Sequence, residues 1–192
     1  MNRIHNLICS SGWWSRRVEQ QLVPWGLRDV ELGDDVLEIG PGFGATTRLL
    51  AKRPLKLSVV ELEPGYCERL RRELEGSVSV TRGDATELPY PDGRFSAVVC
   101  FTMLHHLPSP QQQDRLLAEV RRVLRPGGVF TGSDSTASLL FRLAHLGDTM
   151  VLVDPDRFAS RLQAAGFTDT RVRRGHHAFG FQAIRPQTPL SS

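Results

Sequence analysis

Short β-branched, apolar runs alternate along the chain with segments in which apolar residues recur every three to four positions. Seven short runs predict β-strands, at residues 35–39, 56–61, 77–81, 95–101, 129–132, 168–174 and 177–184. Strands that alternate with helical patterns are typical of βαβ units and a parallel sheet. The last two runs are close enough in sequence to form an antiparallel pair at one edge of that sheet.

Between these runs, apolar residues recur at the spacing of an α-helix. This spacing predicts helices over residues 13–25, about 45–52, from 64 to about 74, over 111–124 and over 154–165. Pro64 fits the first turn of the third helix, and Asp154 and Gly166 mark the start and end of the last one. Residues 126–128, Pro-Gly-Gly, end the helix over 111–124 before the fifth strand.

The length of 192 residues is close to the roughly 150 residues of one average domain, so we expect a single domain over 1–192. Its predicted parts follow the chain, as an N-terminal helical cap (1–30), a binding core (34–134), a substrate-side cap (135–153), a C-terminal helix and hairpin (154–185) and a flexible tail (186–192). The two caps are apolar, with Trp13 and Trp14 in the first and Leu139, Leu140, Phe141 and Leu143 in the second.

Composition and charge narrow the class of protein. The net charge is +3 and no run of five like charges occurs, which argues against a nucleic-acid partner. Cys9, Cys67 and Cys100 show no C-x-x-C spacing, so neither a disulfide framework nor a zinc site is indicated. Without a signal-like apolar segment or an apolar run near the roughly 20 residues of a membrane span, we expect a cytoplasmic protein, as a monomer or homodimer.

The most informative segment is the turn after the first strand, where glycines stand at 40, 42 and 44. Glycine allows a positive φ and lets a ligand approach the backbone closely, so the turn predicts a nucleotide-like ligand. Gly40, Gly42 and Ala45 also satisfy the loose dinucleotide fingerprint. However, Glu38 stands two residues before the first glycine, where a carboxylate suits a cationic ammonium or sulfonium group better than a pyrophosphate.

The pattern E-x-G-x-G-x-G after an apolar strand resembles motif I of class I S-adenosylmethionine-dependent methyltransferases. The resemblance extends, in order and spacing, through residues 124–128, and it is closest to the small-molecule type labelled methyltransferase type 11. It implies an α/β fold with a doubly wound, Rossmann-like, seven-stranded and mostly parallel sheet, here ending in an antiparallel hairpin. It also implies S-adenosyl-L-methionine as the cofactor and in-line transfer of its methyl group to a small, apolar or aromatic acceptor.

The resemblance assigns cofactor contacts residue by residue. In the family, the acid at the position of Glu61 binds the ribose hydroxyls, and the acid at the position of Asp84 accepts from the adenine amine. Phe101 and Thr102 stand at the positions where members of the family close over the cofactor. Ser96 replaces the Asp that the family usually has before the fourth strand, and this difference should have little effect on cofactor binding. The expected cofactor-binding residues are therefore Glu38, Gly40, Pro41, Gly42, Gly44, Glu61, Leu62, Asp84, Ala85, Phe101 and Thr102.

Any catalytic base should come from the histidines after the fourth strand. His105 and His106 are the best candidates, since neutral imidazole accepts a proton near pH 7; Asp134 and His145 are weaker ones. The histidines form no spaced ligand set, so no metal is expected. Two other functions stay open, a nicotinamide-dependent oxidoreductase and a protein that binds S-adenosylmethionine without catalysis.

Overall fold

The computed structural model of the chain describes residue 7, residues 10–136 and residues 150–187. Its strands are β1 Asp35–Ile39, β2 Lys56–Glu61, β3 Ser79–Arg82, β4 Phe95–Phe101, β5 Leu124–Ser135, β6 Thr168–Arg174 and β7 Ala178–Ile184. Its helices are α1 Gly12–Arg17, α2 Val23–Gly26, α3 Ala45–Leu50, α4 Pro64–Glu73, α5 Pro110–Val123 and α6 Pro155–Ala164. A π-helical turn, Val18–Leu22, joins α1 to α2, and a 3₁₀ turn, Leu104–His106, follows β4.

The strands form one seven-stranded sheet in the order β3-β2-β1-β4-β5-β7-β6. The pairings from β3 to β5 are parallel, and β7 pairs antiparallel with both β5 and β6. The predicted α/β class, the mostly parallel sheet and the antiparallel C-terminal hairpin are therefore confirmed. The strand order reverses between β1 and β4, and ligands in such sheets bind outside the carboxyl ends of the strands at that point.

Helices cover both faces of the sheet. Alternate strand residues point to opposite faces, and so Leu37 packs in one core cluster with residues of α5 and α6, whereas Val36 packs in a second cluster with the N-terminal helices, α3 and α4. All seven residues of β4 are buried, as expected for a central strand covered on both sides. This double layer holds the carboxyl ends of β1 and β4 rigidly side by side.

The predicted helix over 13–25 exists, but its middle is the π-helical turn rather than regular α-helix. Its last residue, Gly26, lies directly against the ring of Phe101, since a Cβ on Gly26 would stand 2.7 Å from Phe101 Cε1. The Thr131 hydroxyl of β5 donates to the Gly26 carbonyl at 2.8 Å. The N-terminal segment is thus attached to the centre of the sheet.

Strand β5 differs most from prediction, because it begins at Leu124 instead of residue 129. Leu124 already pairs with Phe95 of β4, before an irregularity that restores the parallel register at Ala97. The backbones of Gly127 and Gly128 also exchange hydrogen bonds with Arg185, after the end of β7. The Pro-Gly-Gly segment therefore ends the helix as predicted but lies inside a strand.

The family resemblance places Ser96 before the fourth strand, whereas it is the second residue of β4, within the predicted run 95–101, and is buried. Its hydroxyl accepts from the Asp35 N–H at 3.0 Å and lies 2.6 Å from the Leu32 carbonyl oxygen. It therefore joins the start of β4 to the start of β1, at the end of the sheet away from the glycine turn.

We expect Ser96→Ala to lower the free energy of unfolding by about 1–2 kcal/mol, because it leaves these backbone groups without their partner. Denaturant unfolding measures this change, and Ser77→Ala, at an exposed serine, is the matched control and should change little. A change in affinity for the predicted cofactor on Ser96→Ala would contradict this assignment, since Ser96 lies at the opposite end of its strand.

Several sequence predictions fall on residues outside the described ranges. Residues 137–149 contain most of the predicted substrate-side cap, including His145, and residues 188–192 contain most of the predicted tail. Cys9 also lies outside them. In the part of the chain that the structure describes, no helix has the length and apolar character needed to cross a membrane.

Candidate active site

The glycine turn follows β1 and has left-handed backbone at each glycine, with φ of 62° at Gly40, 53° at Gly42 and 75° at Gly44. A Cβ on Gly40 would stand 2.3 Å from Met103 Cγ, so the turn after β4 packs directly on this backbone. In contrast, a Cβ on Gly42 would meet nothing within 4 Å. The turn is therefore closed on the side of β4 and open at Gly42, where a ligand can approach the main chain.

Glu61, the last residue of β2, is buried and holds the glycine turn through its carboxylate. Oε2 accepts from the Gly42 N–H at 3.0 Å, and Oε1 accepts from the Glu63 N–H at 2.9 Å. A carboxylate has about four acceptor positions, so two backbone donors leave capacity for hydroxyl groups of a ligand. The acid predicted to bind a ribose thus also fixes the loop that forms the site.

Glu38 is the most unusual group at this edge of the sheet. It is only 2% exposed, and its Oε2 has no hydrogen-bond partner among the described residues. The pKa of its carboxyl is raised to about 8, chiefly by desolvation and also by the nearby Glu61 carboxylate, while Thr47 and Arg48 oppose the shift. A buried, unpaired acidic oxygen is costly, and a cationic ligand would relieve that cost.

Thr47 of α3 is a residue that the sequence reasoning missed. It is fully buried, it lies close enough to Glu38 to lower the pKa of that carboxyl, and its hydroxyl likewise has no partner among the described residues. The available signal was weak: two polar residues, Thr46 and Thr47, stand in the first turn of a helix that packs on the core.

Asp84 and Leu62 lie at the exposed side of this edge. Asp84 Oδ1 accepts from the Thr86 N–H at 2.7 Å and from the Thr86 hydroxyl at 2.8 Å, which forms a turn after β3. Ala85 beside it is half-buried. Leu62 is 63% exposed despite its apolar side chain, and so offers an apolar surface to a ring.

Phe101 is the last residue of β4 and Thr102 follows it, and the two residues differ in their surroundings. The Phe101 side chain belongs to the core cluster with the N-terminal helices, so only its backbone is left to line the site. Thr102 has a φ of 51° and donates its N–H to the Ser133 carbonyl at 2.8 Å. A positive φ is strained for a β-branched residue, and such strain clusters at functional sites.

His105 and Asp134 form a buried pair after β4 and near the end of β5. His105 is 2% exposed, and its Nδ1 lies 2.5 Å from Asp134 Oδ1. Asp134 Oδ2 also accepts from the His105 backbone N–H at 3.1 Å. The ring of His106, which is half-buried, stands 4.1 Å from that of His105 between centroids. Two sequence candidates for the base, His105 and Asp134, are thus partners of each other.

The two other histidines in the described part of the chain lie outside this site. His176 and His177 are exposed between β6 and β7, with Nδ1 of the first 3.0 Å from Nε2 of the second. In residues 10–136 and 150–187, no three His, Cys, Asp or Glu side chains come together in a way that could hold a metal ion.

Comparison with protein families gives a direct match to this part of the fold. Residues 36–128, from β1 into β5, match the family model described as a methyltransferase domain. This segment is a methyltransferase domain. The family suggested by the motifs of β1 to β5, that of the S-adenosylmethionine-dependent class I methyltransferases, is confirmed.

Curated proteins similar to this methyltransferase domain act on different acceptors. The fatty-acid O-methyltransferase of Mycolicibacterium smegmatis is 39% identical over 112 residues, which cover 56% of this chain and 39% of that protein. Ribosomal RNA small subunit methyltransferase A of Desulfitobacterium hafniense is 31% identical over 160 residues, covering 74% of this chain and 56% of that protein. The chain therefore spans about half the length of the curated relatives it matches.

Solved structures share the fold of this domain at low identity. The PH0226 protein of Pyrococcus horikoshii superposes with a TM-score of 0.77 at 17% identity, covering 92% of this chain and 93% of that one. Phosphoethanolamine N-methyltransferase 2 of Haemonchus contortus, solved in complex with S-adenosyl-L-methionine, has a TM-score of 0.73 at 16% identity, covering 97% of this chain and 61% of that one. These likenesses confirm the architecture.

Proposed function

We propose that the chain binds S-adenosyl-L-methionine at the glycine turn and transfers its methyl group to a small, apolar or aromatic acceptor. The observation that carries the proposal is the buried Glu38 carboxyl, whose Oε2 has no partner among the described residues. It lies beside a turn that is open at Gly42. A nucleoside that carries a positive charge suits this site, because a cation would stabilise the ionised form of the buried acid and the exposed backbone lets the ligand approach.

Each part of the cofactor has a residue of matching chemistry. Glu38 and Thr47 would receive the ammonium group of the amino-acid end, since one is acidic and both have oxygen atoms without partners. Glu61 would accept from the ribose hydroxyls through charge-assisted hydrogen bonds. Asp84 would accept from the adenine amine, and Leu62 would pack on the ring.

When bound, the cofactor supplies a methyl group already activated by its positive sulfur. The chain's own residues then need only to hold the acceptor in line with that group, and such positioning can contribute about 7–11 kcal/mol in favourable cases. The rigid sheet supports this task, because β1 and β4 are neighbours at the reversal of strand order.

Glu38 also argues against the nicotinamide alternative. A dinucleotide places its anionic pyrophosphate on the glycine turn, next to the buried carboxyl group of Glu38. An anion there would make the ionised form of Glu38 still less favourable, whereas a cation would stabilise it.

Two observations bear on the chemical nature of the acceptor. The fatty-acid O-methyltransferase relative and the absence of a run of like charges favour a small apolar molecule. The ribosomal RNA methyltransferase relative makes RNA the acceptor class to test beside it. A screen of metabolite extracts and of RNA with an isotopically labelled methyl donor separates the two.

Titration calorimetry tests cofactor binding directly. We expect wild-type protein to bind S-adenosylhomocysteine and not NADPH, and Glu61→Gln to weaken that binding by about 10- to 100-fold. The substitution removes a charge-assisted hydrogen bond and also places an amide N–H against one of the backbone donors that Glu61 now accepts.

Glu63→Gln is the matched control, because Glu63 is exposed and its side chain caps nothing at the start of α4. It should leave the affinity within about twofold of wild type. Preferential binding of NADPH would reject the proposed function, and equal losses in both variants would remove Glu61 from the site.

A further inference from the structure

We propose that Asp134 is a positioning residue that orients His105 to accept a proton from a hydroxyl of the acceptor. The substrate class is therefore an alcohol or phenol that enters the site un-ionised. This inference rests on the proposed methyl transfer and assigns its base and its acceptor group.

The Asp134 carboxylate is held by three donors, all from the chain around it. The imidazole and the backbone N–H of His105 donate to its two oxygens, and the Ser135 N–H donates at 2.6 Å. Because Asp134 accepts at Nδ1, that nitrogen carries the hydrogen and Nε2 becomes the proton-accepting nitrogen. The ring is thus fixed in both tautomer and orientation.

Stability alone does not explain a charged residue at this place. Burying a carboxylate with an imidazole rarely gains free energy over an uncharged arrangement of the same shape. In contrast, a carboxylate stabilises the imidazolium that forms when His105 takes a proton, a role that needs the charge.

The pair lies beside the proposed methyl-donor site. Met103, two residues before His105, packs on Gly40 of the glycine turn. Both Asp134 and Glu38 raise the pKa of the Cys100 thiol, which burial has already raised, so the two carboxyls lie on either side of one β4 residue. Neighbouring strands are about 4.8 Å apart, which places the ends of β1 and β5 about 10 Å from each other.

The proposed step is balanced in atoms and charge. The acceptor oxygen forms a bond to the methyl carbon as the carbon–sulfur bond breaks, and the sulfur keeps that electron pair. The hydroxyl proton passes to His105 Nε2, and Asp134 compensates the positive charge on the ring. S-adenosylhomocysteine and the methyl ether are the products, and the proton leaves to solvent after turnover.

This mechanism selects among acceptors. A phenol has a pKa near 10 and is un-ionised at neutral pH, so its oxygen becomes a good nucleophile only as the proton leaves. A carboxylate is already ionised at neutral pH, so its oxygen is nucleophilic without the His105–Asp134 pair. The geometry therefore favours hydroxyl acceptors over carboxylates.

The test compares two acceptors of one shape, an alkylphenol and its nitro-substituted analogue, which is already ionised at pH 8. Activity is measured with a labelled methyl donor, and donor affinity by calorimetry. For Asp134→Asn we expect a loss of about 10²- to 10⁴-fold in kcat/KM with the alkylphenol, a much smaller loss with the ionised analogue, and donor affinity within about twofold of wild type. Asp169→Asn, at an exposed aspartate of β6, is the matched control.

A merely structural Asp134 predicts equal losses with both phenols, and that result overturns the inference. Methylation of the matched alkylbenzoic acid but of neither phenol overturns it as well. If Asp134→Asn does not fold, His105→Gln gives the same comparison, since it keeps a donor toward Asp134 but has no basic nitrogen. Failure of wild-type protein to bind the donor would instead reject the proposed function.

Discussion

Replacing Glu38 with glutamine should stabilise the ligand-free protein and weaken its hold on the cofactor. The pKa of this carboxyl rises from 4.5 to about 8 on folding, chiefly through burial, so the folded state binds the proton more tightly than the unfolded state does. The contribution of protonated Glu38 to the free energy of unfolding is fully present below pH 4.5 and is lost as the pH rises through about 8. Linkage then makes wild type less stable at pH 9 than at pH 4.5 by up to about 5 kcal/mol from this group.

Glu38→Gln removes that dependence, because an amide does not titrate. Denaturant unfolding of both proteins at several pH values should show a difference that grows in favour of the variant between pH 5 and 9. Glu31→Gln, at an exposed acid, is the matched control and should follow wild type. Parallel pH dependence in wild type and Glu38→Gln would show that another group is responsible.

The same carboxyl should couple cofactor binding to proton release. At pH 7 the Glu38 carboxyl of the ligand-free protein is mostly protonated, and a bound ammonium group favours the carboxylate. Wild-type affinity should therefore rise from pH 6 to 8 by up to about tenfold per pH unit, with close to one proton released per cofactor bound. Calorimetry in two buffers of different ionisation enthalpy counts that proton, and Glu38→Gln should release none.

Gly132→Ala should be the most destabilising small substitution in the centre of the sheet. Gly132 of β5 stands opposite Cys100 of β4, and a Cβ at this position would lie 1.8 Å from the Cys100 carbonyl oxygen. Since that atom is backbone in a strand buried on both faces, the two strands have to separate to admit one methyl group. We expect a loss of at least about 3 kcal/mol in the free energy of unfolding, at the upper end for single substitutions.

Gly12→Ala is the matched control, since a Cβ there would meet nothing within 4 Å and the residue begins helix α1. It should leave stability unchanged or raise it slightly, because alanine favours helix over glycine. A Gly132→Ala variant that unfolds at the same denaturant concentration as wild type would mean that β4 and β5 are farther apart than described.

Thr102, the strained residue directly after β4, also indicates that this edge of the sheet is rigid. Thr102 keeps its positive φ because its N–H donates to Ser133 of β5, and the turn that follows packs on Gly40. The strain is thus maintained by neighbours on both sides, which fixes the path of the chain toward His105. The proposed base and methyl-donor site are in this way positioned by the sheet rather than by a free loop.

The amino-acid sequence by itself determined the class of fold and predicted the place of the site. Apolar runs of period two and helical runs of period 3.6 are local properties, so seven strands, their alternation with helices and the terminal hairpin follow from them. The glycine turn after β1 and the acid two residues before it are equally local, and they indicate a cationic nucleoside. The resemblance to class I methyltransferases adds the assignment of Glu61 and Asp84.

Only the tertiary structure decided which of these residues contact one another. The pairing of His105 with Asp134, which are 29 residues apart, depends on β4 and β5 becoming neighbours, and no local pattern encodes that contact. The hydrogen bond from the Gly42 N–H to the Glu61 carboxylate and the proximity of Thr47 to Glu38 likewise depend on which elements become neighbours in the fold. Burial and charge interaction are properties of the packed chain, so the raised pKa of Glu38 comes from neighbours that the linear sequence does not show.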